Sequence, residues 1–235
     1  MCSNVFRTLR ADEIDVRVQQ VKKNNAGKAF AQLLLYKDAR VDMMLLDEQY
    51  GTFGWQREHF FKDGKNYCKV SAYDNERKMW VVKEDVGIPS NTEAQKGEAS
   101  DAFKRACVNF GIGRELYTAP RLVIELNQGE WYEADNGKGG KTPRLSNRTE
   151  FFVNAIDYDE RRCIIALEIL DNNGRSRIKI GTINSPLFQA KAEMNASKTY
   201  EEAKAIWLKY PEHHLDAGFL AAKEMKKEQF TQPAI

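Results

Sequence analysis

Residues 90–117, SNTEAQKGEASDAFKRACVNFGIGRELY, decide how the rest of the chain is read. Ser90 and Glu93 have the S-x-x-E spacing of a capping box, in which each side chain satisfies a backbone N–H, so a helix is expected to begin near Asn91 and to end at Gly111. Ala99, Ala102, Phe103, Ala106, Cys107 and Phe110 recur at i, i+3, i+4, i+7, i+8 and i+11, a single apolar stripe at helical period, and this stripe is core. The opposite face offers Lys96, Gly97, Ser100, Asp101, Lys104 and Arg105. That face is either an ordinary solvated one or a strip of small and cationic residues that a polyanion can approach closely.

Immediately upstream, Trp55 to Phe61, Asn66 to Tyr73 and Lys78 to Val86 alternate as strands separated by the turns KDGK and DNERK, and an antiparallel meander is expected to pack on the helix. Its polar positions mix Lys62, Lys65, Lys69, Arg77, Lys78 and Lys83 with Glu58, Asp74, Glu84 and Asp85, as solvated sheet faces do. Earlier still, Ile14, Val16 and Val18 alternate, Lys22 to Gly27 is a polar turn, and Lys28 to Tyr36 (KAFAQLLLY) is a second strand. Lys37 to Tyr50 changes to helical period, with Val41, Met44, Leu45 and Tyr50 on one face and Asp38, Asp42, Asp47 and Glu48 mostly on the other. Arg40 sits in the first turn of that helix, where the dipole does not favour a cation.

Downstream, Pro120 to Leu126 reads as a strand and Asp135 to Ser146 (DNGKGGKTPRLS) as a flexible loop. Arg148 to Asp157, Arg161 to Leu170 and Arg175 to Thr182 form a second meander. From Ser185 the character becomes helical, with stretches from Pro186 to about Ala196, Lys198 to Lys209 and His214 to Gln229, fraying from Phe230. The fold class expected is α+β, with an antiparallel core over residues 1–183 and a small helical region over residues 184–235.

The chain has 235 residues and a net charge of only +2, so any basic surface must be local. Cys2, Cys68, Cys107 and Cys163 are far apart and form no C-x-x-C pair, which argues against zinc and a disulfide framework and for a reduced, cytoplasmic compartment. No apolar run approaches the roughly 18 residues that a membrane span needs.

Catalytic patterns fail on inspection. GKGGKT at 137–142 resembles a phosphate-binding loop, but Asp135 holds its first glycine position and Pro143 would interrupt the helix that must follow. Gly111, Gly113 and Arg114 lack the third glycine of a dinucleotide fingerprint. Glu84 and Asp85 are adjacent on a strand and so point to opposite faces, a poor start for a shared metal. His59, His213 and His214 have no partner at a useful spacing. No cofactor is expected.

Taken together, Arg40, the run Tyr50-Gly51-Thr52-Phe53-Gly54-Trp55, Glu84-Asp85-Val86-Gly87 and the helix from Lys96 to Gly111 resemble the single-strand annealing core of the Rad-fifty-two-like recombination proteins and their phage relatives. The resemblance covers roughly residues 35–117. It implies a β-β-β-α core that assembles side by side into rings or filaments, with single-stranded DNA held by its phosphates in an outer groove and its bases exposed for pairing. Carried over by position, Arg40, Lys96, Lys104 and Arg105 would be the groove cations. The family's later basic residue is Val108 here, so Arg114 or the hairpin residues Lys69, Arg77, Lys78 and Lys83 could substitute. Annealing breaks no bond, which agrees with a chain lacking a catalytic cluster. The C-terminal helices would contact a single-strand binding protein or an exonuclease, or pack between subunits. The alternatives are a small Mg²⁺-dependent nuclease near Glu84 and Asp85, or a general RNA- or duplex-binding module.

Overall fold

Alternating apolar residues build the first hairpin. β1 (Asp15–Lys23) and β2 (Ala29–Tyr36) pair antiparallel from Asp15↔Tyr36 to Lys23↔Ala29. Ala29, Ala31 and Leu33 turn into the core while Phe30 and Gln32 stay half-buried between them. The protein is seen in a computed structural model that describes residues 6–88, 94–137, 139–183 and 186–231, without the side chains of residues 94–96, 217, 218 and 231. The expected capping box of Ser90 and Glu93, the Ser185 end of the expected domain boundary, and Cys2 lie outside the described residues.

α1 (Ala39–Tyr50) begins at Asp38, whose carboxylate accepts from the Arg40 N–H at 2.9 Å, and stops at Gly51, whose N–H reaches the Asp47 carbonyl. Leu45 and Leu46 are its buried apolar residues. Asp42, expected on the polar face, is fully buried instead, because Lys37 is buried beside it and pairs with its carboxylate.

β3 (Trp55–Lys62), β4 (Lys65–Asp74) and β5 (Met79–Val86) form a three-stranded antiparallel sheet with β4 in the centre. α2 (Ala94–Phe110) packs on β4 and β5. Cys68 and Val70 of β4 meet the apolar stripe of α2, where Ala102, Phe103, Ala106 and Cys107 are all buried. Ala99 and Phe110 close the stripe at half-buried positions.

β6 (Leu122–Glu125) pairs with β2. The segment expected as a flexible loop is in fact a hairpin, β7 (Trp131–Asp135) and β8 (Lys141–Leu145), registered from Trp131↔Leu145 to Asp135↔Lys141. Gly137 and Gly139 take positive φ in its turn, and Pro143 is tolerated because a two-stranded ribbon has open edges.

β9 (Phe151–Tyr158), β10 (Ile164–Asp171) and β11 (Ser176–Ile180) form the second meander. It does not stand alone. β1 meets β9 at the single pair Asp15↔Phe152, giving one sheet in the order β11-β10-β9-β1-β2-β6. The end strands curl toward each other, and Arg177 of β11 donates to the Glu125 carbonyl of β6 at 2.7 Å and to the Glu130 carboxylate at 2.6 Å.

Three helices follow: α3 (Pro186–Ala196), α4 (Tyr200–Lys209) and α5 (Ala217–Thr231). α4 and α5 start later than expected because Thr199 and Asp216 serve as caps, accepting from the N–H groups of Glu202 and Phe219. α5 runs to Thr231, two residues past the expected end at Gln229, and residues 232–235 of the expected frayed end lie outside the described residues. Ala190, Met194, Ala203, Tyr210, Phe219 and Ala222 form an apolar cluster of their own among these helices. No helix among the described residues is long and apolar enough to cross a membrane.

Candidate nucleic-acid interface

Two carboxylates and one glycine set α2 against its neighbours, and a second glycine sets the end of α1. Glu98 Oε1 accepts from the Asn66 N–H at 2.9 Å and Asp101 Oδ2 from the Ile88 N–H at 3.0 Å, so acids of the helix satisfy backbone donors at the sheet margin. A Cβ on Gly87 would lie 2.0 Å from the Glu98 carbonyl oxygen, and one on Gly54 2.0 Å from that of Tyr50. Both glycines therefore occupy places where backbone touches backbone and no side chain fits. Beneath α2, Phe103 stacks on Trp55 with centroids 6.1 Å apart and lies 4.8 Å from the Arg57 guanidinium.

The junction of α1 and α2 carries the electrostatics. Burial pushes the Asp42 carboxyl up to about 6, although Lys37 opposes the shift, and burial likewise raises the Cys107 thiol beside it. Asp38, at the surface, behaves in the opposite way. Hydrogen bonds from the Arg40 side chain and N–H hold its carboxyl below the usual range, and the charge of Lys104 adds to this. Arg40 and Lys104, far apart in sequence, thus both act on Asp38. Arg40 reaches it with Nε at 2.7 Å while its own side chain remains 85% exposed. Lys104 has no ion-pair partner among the described residues and enters a cavity of about 570 Å³ between α2, β2 and the start of β6.

The other expected site residues are spread out. Arg105 leaves the opposite flank of α2 and pairs with Asp85 of β5, Nε to Oδ1 at 3.2 Å. Asn109 donates to the same carboxylate at 3.3 Å. Lys96 falls on α2, but its side chain is not among those described. Lys69 is on the sheet face turned away from α2, 3.6 Å from Glu58 and over the Phe60 ring. Arg77 is tied to Asp74 in the β4–β5 turn, Lys78 follows it with φ at +54°, and Lys83 is exposed on β5. Arg114 donates to the Val108 and Asn109 carbonyls at the end of α2, complementing the helix dipole. None of these residues lines the cavity that Lys104 enters.

Glu84 and Asp85 do point to opposite faces. Asp85 meets Arg105, whereas Glu84 lies across from Lys69. Among the described residues, no group of three or more His, Cys, Asp or Glu side chains could hold a metal ion.

The cavity beside Lys104 also draws in Tyr36, Tyr117 and Arg121, three residues that the sequence reading left out. Tyr117 is exposed and Tyr36 partly so. Tyr36 ends β2, and Tyr117 and Arg121 lie in the connection between α2 and β6, where local periodicity carries no signal. Only the folding of β2 against the segment after α2 brings them together.

Comparison with known proteins fits this layout. Residues 68–129, from within β4 through β5, α2 and β6, match the Rad52/22 family of double-strand break repair proteins. Over 118 residues the chain is 33% identical to the single-stranded DNA-binding protein DdrA of Deinococcus radiodurans, a match that takes in 49% of this chain and 51% of that protein. The chain thus spans about half the length of the curated relative it matches. The stretch that holds the sheet centre, the long helix and the strand beyond it is thus the part of the chain that is similar to the Rad52/22 family.

Proposed function

We propose that the protein binds single-stranded DNA and anneals complementary strands in recombination and repair, without bond-breaking chemistry. The observation that carries this reading is the convergence of Arg40 and Lys104 on Asp38 at the rim of the α1–α2 junction. Arg40 is exposed and Lys104 half-buried, and both occur within the pattern that resembles the annealing core. The family match and the name of the Deinococcus relative support the choice of nucleic acid.

In this reading, β3, β4, β5 and α2 constitute the annealing unit, residues 1–183 form the core, and residues 184–235 form a helical region for protein contacts. The cations neutralise phosphates, a sequence-independent and salt-dependent interaction, and base pairing supplies the specificity. One subunit offers a short row of charges. Repetition of that row around an oligomeric ring or filament makes attachment multivalent.

The test is fluorescence anisotropy with a labelled single strand, followed by annealing of complementary strands, using Arg40→Ala with Lys104→Ala. The expected result is binding at least about tenfold weaker with a salt slope reduced by about two. Annealing at the parental rate by a folded double variant, at matched ionic strength, would overturn the reading. Electron microscopy with and without the strand tests for rings or filaments.

A further inference from the structure

Past the end of α2 lies a second cationic pocket, about 340 Å³, with Arg114, Arg161 and Arg162 in its lining and Phe6 and Phe110 beside them. One carboxylate, Glu115, reaches it, leaving an excess of two positive charges. Glu115 is buried and both its oxygens are occupied: Oε1 accepts from the Leu9 N–H at 2.8 Å and Oε2 from Arg162 Nη2 at 2.9 Å. Each oxygen already has one donor, and a single carboxylate cannot neutralise three guanidinium groups.

Those donors are available. Arg162 Nε is buried and has no hydrogen-bond partner among the described residues, an expensive condition for a charged donor. Arg162 also sits at φ +64°, a left-handed conformation that a residue with a side chain adopts at a cost. The turn between β9 and β10 bears that strain, and the result is a guanidinium aimed at this pocket. Arg161, next to it, is exposed, and its side chain has no ion-pair partner among the described residues. Arg114 covers the terminal carbonyls of α2 with Nε and Nη2, so the negative end of the helix dipole is masked from the pocket.

We propose that this pocket is a phosphate-binding site, distinct from the Arg40–Lys104 junction. Guanidinium donors converging with excess positive charge suit a tetrahedral oxyanion, because each planar fork can present two N–H groups to two oxygens. The phosphate comes either from a nucleic-acid backbone or from a free phosphate ion. The first source rests on the function proposed above; the second does not. The end of α2 lies about 9 Å along the helix axis from Lys104, within reach of a strand that leaves the junction along the helix and does not cross it to Arg105.

The experiment uses the full chain and Arg161→Glu, with the same charge reversal at exposed Lys179 as control and Arg114→Gln as a second variant. The probes are a labelled oligothymidylate and inorganic phosphate. If the source is the DNA backbone, Arg161→Glu weakens oligothymidylate binding about tenfold and lowers the salt slope by about one, with a smaller loss in Arg114→Gln. If the source is free phosphate, millimolar phosphate raises the unfolding temperature of the parent but not of Arg161→Glu, and DNA binding is unchanged. Equal loss from Lys179→Glu, or no change with either probe, overturns the site. Loss of oligothymidylate binding in Lys104→Ala but not in Arg161→Glu, with no effect of phosphate on the parent's unfolding temperature, removes this site and leaves the junction standing; loss in Arg161→Glu but not in Lys104→Ala removes the junction and leaves this site.

Discussion

Arg105 Nε donates to Asp85 Oδ1 at 3.2 Å across the seam between α2 and β5, so one of the two consecutive basic residues of the helix is already engaged by its own sheet. Lys104, its neighbour, is not. Releasing Arg105 tests whether this contact restrains binding. Asp85→Ala should tighten single-strand binding several-fold and increase the salt slope by about one, at a stability cost of about 1 kcal/mol for a half-exposed pair. Anisotropy titrations at two salt concentrations, with a urea melt, measure both. Unchanged affinity would mean that Arg105 is a purely structural residue.

Lys37 and Asp42 are buried as a pair, which predicts a strongly non-additive response. Lys37→Met alone leaves an uncompensated carboxylate and should cost about 3–5 kcal/mol, whereas adding Asp42→Leu should restore most of that loss. Urea unfolding of the two single variants and the double variant closes the cycle. Simple additivity would contradict the pairing.

The Asp42 carboxyl titrates near 6 in the folded protein and near 4 in an unfolded chain. Because the folded value is the higher one, between about pH 4 and 6 the native state keeps a proton that the unfolded chain has released. The contribution of Asp42 to stability therefore falls as pH rises through that window and is level above it. Carbon-13 detection of the Asp42 carboxyl should show a midpoint close to 6, and a midpoint in the ordinary carboxylate range would refute the assignment.

Gly87 has the Glu98 carbonyl where its Cβ would be. Gly87→Ala should push the end of β5 away from α2 and cost about 1–3 kcal/mol, with loss of protection at the Ile88 and Asn66 amides that α2 secures. Hydrogen exchange on these two amides separates this outcome from general destabilisation.

Local pattern was sufficient for much of the fold. The alternation in KAFAQLLLY, the turns KDGK and DNERK, and the stripe from Ala99 to Phe110 each report on contacts within or next to one element, and the strands and helix came out close to those bounds. What was hidden depends on distant partners. The β7–β8 ribbon has short strands with no buried residue and a glycine-rich turn between them, so it carries no burial signal. The Asp15↔Phe152 bridge joins residues from opposite ends of the core, and nothing near either residue marks it. Asp42 reads as surface until Lys37 is seen beside it. Lys104 is legible on the cationic face of the long helix and Arg40 through resemblance to a family, but their shared action on Asp38 is a tertiary fact; the turn ending at Arg161 is legible as a turn, whereas nothing in the sequence marks Tyr36, Tyr117, Arg121, Arg161 or Arg162 as site residues.

Consecutive side chains leave an α-helix about 100° apart. Lys104 accordingly departs toward α1 and Arg105 toward β5, so any elongated polyanion touching both must straddle α2 like a belt over a pulley instead of lying along its length. The heading of such a strand is set by the helix beneath it, from the β5 flank to the Arg40 flank. Copies of the chain set flank to flank would carry it onward in the same sense.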